Sequence, residues 1–426
     1  MMEIFLLGYI AIFIVFLGFV EIFRSGKEHL SLYFNVFVVR MIIALLMYMF
    51  YGYVNPGGDA LKYIEVSQSI SSGLVTSLSQ IVEIYNDDSR YILYLAICAA
   101  LDFLFGPLGV ILFQTCIHIL SGFFIHLSLR KLGVSVRKSN FILVIYTFYP
   151  FLIFYSSVYL RDIYLVLATA WFVYGLIIYK GYFGKFFNML VPLLIIIGFR
   201  VQYLPFYLLF FIGYYFFDKK NGIGLYQWFF ILLGLILVSY WSDFLNMNKL
   251  IPYLVGSGEI EDNPSLAYSD YNALDYISIT KIIQTFFGVF GPYHMFRGGD
   301  FVFVEYRGDY VERLFEGLSA LLNITMLLSI LWYSINQYFV RKNKFTVRNN
   351  FEDVRSQFRK SALLFFMAVI FLLSFVGYNR WKIPLVPILF LYFGVCSIKV
   401  SNFILILLVV ILMLTGGIWL GFLLNN

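Results

Sequence analysis

"PLGVILFQTCIHILSGFFIHLSLRK", Pro107 to Lys131, carries no charged residue until Arg130 and Lys131. An apolar run of about 20 residues is long enough to cross a hydrocarbon core of roughly 30 Å as a helix. Runs of this kind recur along the whole chain of 426 residues, of which 61% are hydrophobic and 13% charged. A soluble domain carries about 25% charged residues. In lipid a helix satisfies every backbone group within its own segment, and the alternating pattern of a barrel is not seen. The expected fold is therefore all-α: a polytopic integral membrane helical bundle forming a single transmembrane domain over residues 1–426, with the lipid bilayer as its partner.

Twelve transmembrane helices are expected, near 4–22, 33–52, 108–128, 139–157, 163–179, 187–199, 201–217, 225–241, 315–337, 361–377, 384–398 and 403–423. The sixth and seventh read as a broken pair hinged at "GFRVQYLP". Ile4–Val20 reads as a retained span, because no basic segment precedes it and Glu21, Phe23 and Arg24 follow in place of a small-residue cleavage site. Cys98, Cys116 and Cys396 lie in apolar surroundings without metal-ligand spacing, which makes them core residues. The net charge of +6 calls for no nucleic-acid partner, because the basic residues are distributed by membrane side.

Lys and Arg favour cytoplasmic loops. Arg24 and Lys27, the turn from Arg130 to Lys138, Lys180 and Lys185, Lys219 and Lys220, the run from Arg341 to Lys360, and Lys399 fall in one set of loops. The acidic residues concentrate in the other set, Asp59, Asp162 and the stretch from Glu259 to Asp275 among them. Both termini and two long loops, 53–107 and 242–312, are thereby placed outside. The basic loop 338–360 is placed in the cytoplasm, against anionic headgroups. Each external loop contains an apolar segment too short to span, "YILYLAICAALDFLFG" from Tyr91 and "IIQTFFGVFGPYHMF" from Ile282. These fit interfacial or re-entrant helices, a roof over the outer leaflet.

The chain has no GxxxxGK, HExxH or GxSxG motif, and its four histidines do not suggest a metal cage. The candidates for chemistry are carboxylates and arginines at the outer boundary. Asp59 follows a Pro-Gly-Gly turn; on its own it reads equally as a residue at a helix start, where an acidic group is favoured. Arg161 and Asp162 open the fifth span, Arg200 closes the sixth, and Arg380 and Lys382 precede the eleventh. Each cation alone could snorkel to the headgroups. Together they run against the inside-positive trend, and guanidinium forks suit phosphate oxygens. A carboxylate that deprotonates an acceptor hydroxyl or holds a divalent cation, with arginines on a departing phosphate, fits chemistry on a lipid-linked phosphate ester.

At these residues the chain resembles the glycosyltransferase C superfamily, whose members carry an acidic residue in the first external loop followed by Tyr and Gly at set offsets. Asp59, Tyr63 and Gly73 match, and Asp162 matches a second acidic position. "LFGPLGVILFQTC" and its continuation to Gly175 are similar to the roof helix and following spans of that family, and "YNRWKIPLVPILFLYFG" to its Arg-aromatic-x-x-Pro-x-x-Pro segment. Within it the chain looks most like O-antigen and capsular polysaccharide polymerases.

The resemblance implies an extracytoplasmic transferase using an undecaprenyl-(di)phosphate-linked sugar in surface-polysaccharide or lipopolysaccharide synthesis. It implies a multi-pass protein of the bacterial inner membrane whose site faces the periplasm, working on polyprenyl-linked oligosaccharide alongside other polysaccharide assembly proteins. Asp59 and Asp162 would be catalytic, and Tyr63, Arg161, Arg200, Arg380 and Lys382 would bind substrate. The family often has Asp-Glu where this chain has Asp59-Ala60, so no metal ligand is assigned and a divalent cation stays an open cofactor. The rival reading is a transporter, or a flippase of lipid-linked oligosaccharide. It calls for polar residues at mid-membrane, where Arg40 and Gln114 are the main ones in the expected spans.

Overall fold

The computed structural model describes residues 2–51, 58–84, 91–177, 182–200, 203–216, 310–341, 354–363, 365–366, 385–396 and 399–411. Every regular element among them is helical: α1 (Met2–Ser25), a 3-10 turn (Lys27–His29), α2 (Leu30–Tyr51), α3 (Gly58–Ser71), α4 (Leu78–Ile84), α5 (Ile92–Lys131), α6 (Val136–Thr147), α7 (Pro150–Ser156), α8 (Asp162–Ile177), α9 (Tyr182–Arg200), α10 (Leu204–Phe216), α11 (Tyr310–Arg341), α12 (Leu385–Val395) and α13 (Val400–Ile411).

Four of these helices contain segments long and apolar enough to cross a membrane: Met2–Ser25, Lys27–Met49, Ile92–Lys131 and Gly317–Ile335. A fifth crossing results if α6 and α7, bent by 50° at their junction, form one span. Among the described residues four or five of the twelve expected crossings are shown. The expected spans near 163–179, 187–199, 201–217, 384–398 and 403–423 correspond to shorter apolar helices. The expected span 225–241, most of the expected span 361–377, most of the loop 242–312 and most of the loop 338–360 lie outside the described residues.

The chain divides into two compact units. The first comprises residues 1–201, 304–351 and 383–426. Its centre is α8, buried along its whole length, as expected for a helix that is apolar all round. α5 and α9 pack along it, and α1 lies against α5. Trp171 of α8 stacks on Phe124 of α5 and donates its indole N–H to Asn188 Oδ1 of α9 at 2.7 Å. Gly175 allows α9 to approach closely: a Cβ at that position would lie 2.5 Å from the Asn188 carbonyl oxygen, a backbone atom that cannot swing aside. Phe13, Phe16, Phe34 and Ile42 remain exposed on α1 and α2, an apolar surface that suits lipid.

A straight α5 of 40 residues would measure about 60 Å, twice the hydrocarbon thickness. It breaks at Gly106, whose φ of 67° and ψ of −172° belong to a region essentially restricted to glycine, just before Pro107. The break separates the segment expected to form a roof from the segment expected to span.

Side-chain contacts give the unit two distinct ends. At one, Tyr33 of α2 donates to His126 Nδ1 of α5 at 2.8 Å, and His126 Nε2 meets Asn140 Oδ1 of α6 at 2.9 Å. Glu21 holds Arg24 at 2.6 Å, and Lys138 donates to the Cys396 carbonyl at the end of α12. This end carries the basic turns Arg24–Lys27 and Arg130–Lys138. The roof segment, the 157–161 connection, the start of α8 and the end of α9 lie at the other.

The second unit comprises residues 202–303 and 352–382. In it Gln357 donates to the Tyr214 carbonyl at 2.5 Å, and Phe365 packs edge-on against Phe206 and Phe210 of α10.

Candidate functional site

The end opposite the basic turns gathers four of the seven residues named from the sequence. α8 starts at Asp162 and α9 finishes at Arg200. These two packed helices are antiparallel, so the start of one meets the finish of the other, and Arg200 NH2 lies 3.0 Å from Asp162 Oδ1. The pair is deep, with side chains 11% and 1% exposed. Asp162 Oδ2 is buried and has no hydrogen-bond partner among the described residues.

Arg161 faces differently from its neighbour. Its guanidinium stacks over the Tyr91 ring, 4.1 Å from the centroid, and NH1 donates to the Phe199 carbonyl at 3.4 Å. Tyr63 of α3 packs on Tyr91 and Tyr94 with centroids 5.8 and 5.0 Å away. Tyr94 in turn meets Tyr164, which stacks on Phe199 at 4.3 Å. Two guanidinium groups and one carboxylate are thus set in an aromatic wall drawn from α3, α5, α8 and α9. Tyrosine rings hold a cation by their faces and still present polar tips.

Asp59 lies in the first turn of α3, one helical turn before Tyr63. Arg380 and Lys382 lie outside the described residues.

The structure adds a carboxylate that sequence reasoning missed. Asp102, on the roof segment of α5, accepts a hydrogen bond from Tyr159 at 2.6 Å and another from Ser67 of α3. It therefore ties α3, the roof and the 157–161 connection together, and sets the wall bearing Tyr63 against the start of α8. One signal was available: Asp102 is the single charged residue of "YILYLAICAALDFLFG". Gln114, noted from the sequence as a polar residue in a span, donates to the Tyr94 hydroxyl at 2.8 Å beneath this cluster.

Among the described residues no three His, Cys, Asp or Glu side chains converge on one point. The chain matches no family model, no curated protein and no solved structure.

Proposed function

We propose that this chain is a membrane-embedded glycosyltransferase that uses a polyprenyl-(di)phosphate-linked sugar donor in surface-polysaccharide synthesis, as an O-antigen or capsule repeat-unit polymerase does. The observation that carries the reading is the assembly of Tyr63, Arg161, Asp162 and Arg200, from three helices and a connection, into one aromatic-walled cluster. Snorkelling cations would point outward to headgroups. Arg161 and Arg200 are instead largely buried, against an aromatic ring and a carboxylate.

In this reading Asp59 takes the proton of an acceptor sugar hydroxyl as the new bond to the donor's anomeric carbon forms. The bond from that carbon to the diphosphate oxygen breaks, and polyprenyl diphosphate leaves with the electron pair. Arg161 and Arg200 stabilise the charge on the departing phosphate. Asp162 keeps Arg200 at its station and offers Oδ2 to a substrate hydroxyl. The protein belongs in a bacterial inner membrane with this end facing the periplasm, where lipid-linked repeat units are joined.

Arg161→Gln tests the phosphate-binding role while leaving the Asp162–Arg200 pair in place. Loss of one charge-assisted contact is expected to lower kcat/KM for the lipid-linked donor by about 10–100-fold. An unchanged value leaves Arg161 as a packing residue and removes the support its burial gives.

The alternative, a transporter or flippase of lipid-linked oligosaccharide, is favoured by one observation: Arg40, Gln114 and His118 are all fully buried within the bundle. It predicts movement of the lipid-linked substrate between leaflets with no change in glycan length.

A further inference from the structure

Asp102 hydrogen-bonds to two elements outside the roof segment. Its Oδ1 accepts from the Tyr159 hydroxyl at 2.6 Å and its Oδ2 from the Ser67 hydroxyl of α3. Both donors are buried, and each stands close in the chain to a residue of the candidate site. Ser67 is one helical turn after Tyr63, on the same face of α3. Tyr159 is two residues before Arg161.

These contacts close into a ring. The Arg161 guanidinium lies over Tyr91 at 4.1 Å, Tyr91 packs on Tyr63 at 5.8 Å, and α3 leads from Tyr63 to Ser67. Ser67 bonds to Asp102, Asp102 to Tyr159, and the chain returns to Arg161. The backbone on which Arg161 stands is irregular, between the end of α7 at Ser156 and the start of α8 at Asp162. Such connections open at lower free energy than the helices they join, so a tether at Tyr159 bears directly on where the guanidinium lies. Arg161 NH1 also reaches the Phe199 carbonyl, at 3.4 Å a long bond.

A carboxylate in an apolar segment is unfavourable unless it is hydrogen-bonded, and two hydroxyl donors give it charge-assisted bonds. Both oxygens of Asp102 are engaged in this way, which suits a positioning group better than one that takes a proton from substrate. We propose that Asp102 is the positioning residue of this site, holding through Tyr159 the connection that carries Arg161 and through Ser67 the helix that carries Tyr63 and Asp59. It acts by hydrogen bonding and not by its charge. What it implies for donor use rests on the transferase reading; the placing of Arg161 does not.

The test treats the purified full-length protein in detergent with phenylglyoxal, an arginine reagent, and resolves modification of Arg161 and Arg200 by peptide mapping. Arg200 is the internal reference, because its ion pair with Asp162 does not run through Asp102. Asp102→Leu removes both bonds. Asp102→Asn keeps them, since an amide accepts with one atom and donates with the other, and a serine hydroxyl does either. In Asp102→Leu the Arg161 rate is expected to rise about tenfold or more relative to Arg200, as loss of charge-assisted hydrogen bonds implies. In Asp102→Asn the ratio stays at the wild-type value. Donor use follows: kcat/KM per folded protein falls by about 10–100-fold in Asp102→Leu, the effect of a misplaced binding group, and is retained in Asp102→Asn. In an Arg161→Gln background Asp102→Leu adds no further loss, because the two residues act as one unit. If Asp102→Leu does not fold, Tyr159→Phe and Ser67→Ala each remove one bond and are read in the same way. An unchanged Arg161 rate, or Arg161 and Arg200 rising together as in general loosening, overturns the proposal. A loss of donor use in Asp102→Asn equal to that in Asp102→Leu overturns it as well, by making the charge the working feature. A selective rise at Arg161 in a protein whose wild-type form never elongates glycan sinks the transferase reading and supports the placing of Arg161 by Asp102.

Discussion

Asp162→Ala is expected to lower the stability of the protein by about 3–5 kcal/mol, because it leaves the Arg200 guanidinium buried beside an apolar side chain. Arg200→Met alone should be similarly damaging, since the Asp162 carboxylate is 1% exposed and would lose its partner. The double variant Asp162→Leu/Arg200→Met removes both charges at once and should recover most of the loss, as apolar replacements of buried ion pairs commonly do. Chemical unfolding in detergent reads all three. Stability and function then separate: the double variant should be folded and abundant, yet use lipid-linked donor poorly, because one of the guanidinium groups facing the phosphate is gone. A double variant as active as the wild-type protein would make the pair a purely structural lock between α8 and α9.

Asp59→Asn carries the largest effect expected on activity. A positioned general base contributes about 10²–10⁴-fold, so glycan formation should fall by that range with protein abundance and unfolding midpoint little changed. The simpler role for an acidic residue in the first turn of a helix is to complement the helix dipole. That role is worth about 0.3–1 kcal/mol of stability and nothing in rate. Measuring product chain length and thermal midpoint on the same preparation distinguishes the two. A small loss of midpoint with full-length glycan assigns Asp59 to helix initiation alone.

Much of the first unit was legible in the sequence, for reasons that particular residues make clear. The spans in α1 and the second half of α5 are long apolar runs ending in Arg or Lys, and lipid imposes that pattern directly; α2 is as apolar in most positions but carries Arg40 at its middle and no basic residue in its last turn. The break of α5 was marked by Gly106-Pro107, which can be neither regular helix nor anything bulkier. α8 is as apolar as the lipid-exposed spans, because protein neighbours on every side demand the same apolar residues that lipid does. Four or five helices meet the length requirement among the described residues, and the expected span 225–241 and most of 361–377 lie outside those residues.

The candidate site was legible as a list and illegible as a geometry. Arg161 and Asp162 are adjacent in sequence yet turn to different partners, Tyr91 and Arg200, and only the antiparallel packing of α8 on α9 brings Arg200 within 3.0 Å. Asp102 escaped notice because a lone carboxylate in an apolar segment acquires meaning only when Ser67 and Tyr159 arrive from elsewhere in the chain.

The activity proposed for this chain is the formation of glycosidic bonds on lipid-linked sugars. Its most direct test is to reconstitute the purified protein in liposomes that carry polyprenyl-diphosphate-linked repeat units, without nucleotide or ion gradient, and to resolve the length of the lipid-linked glycan with time. Stepwise elongation accompanied by release of polyprenyl diphosphate, and lost in Asp59→Asn, is the predicted result. Glycans of unchanged length, with or without redistribution of the lipid between leaflets, would contradict it.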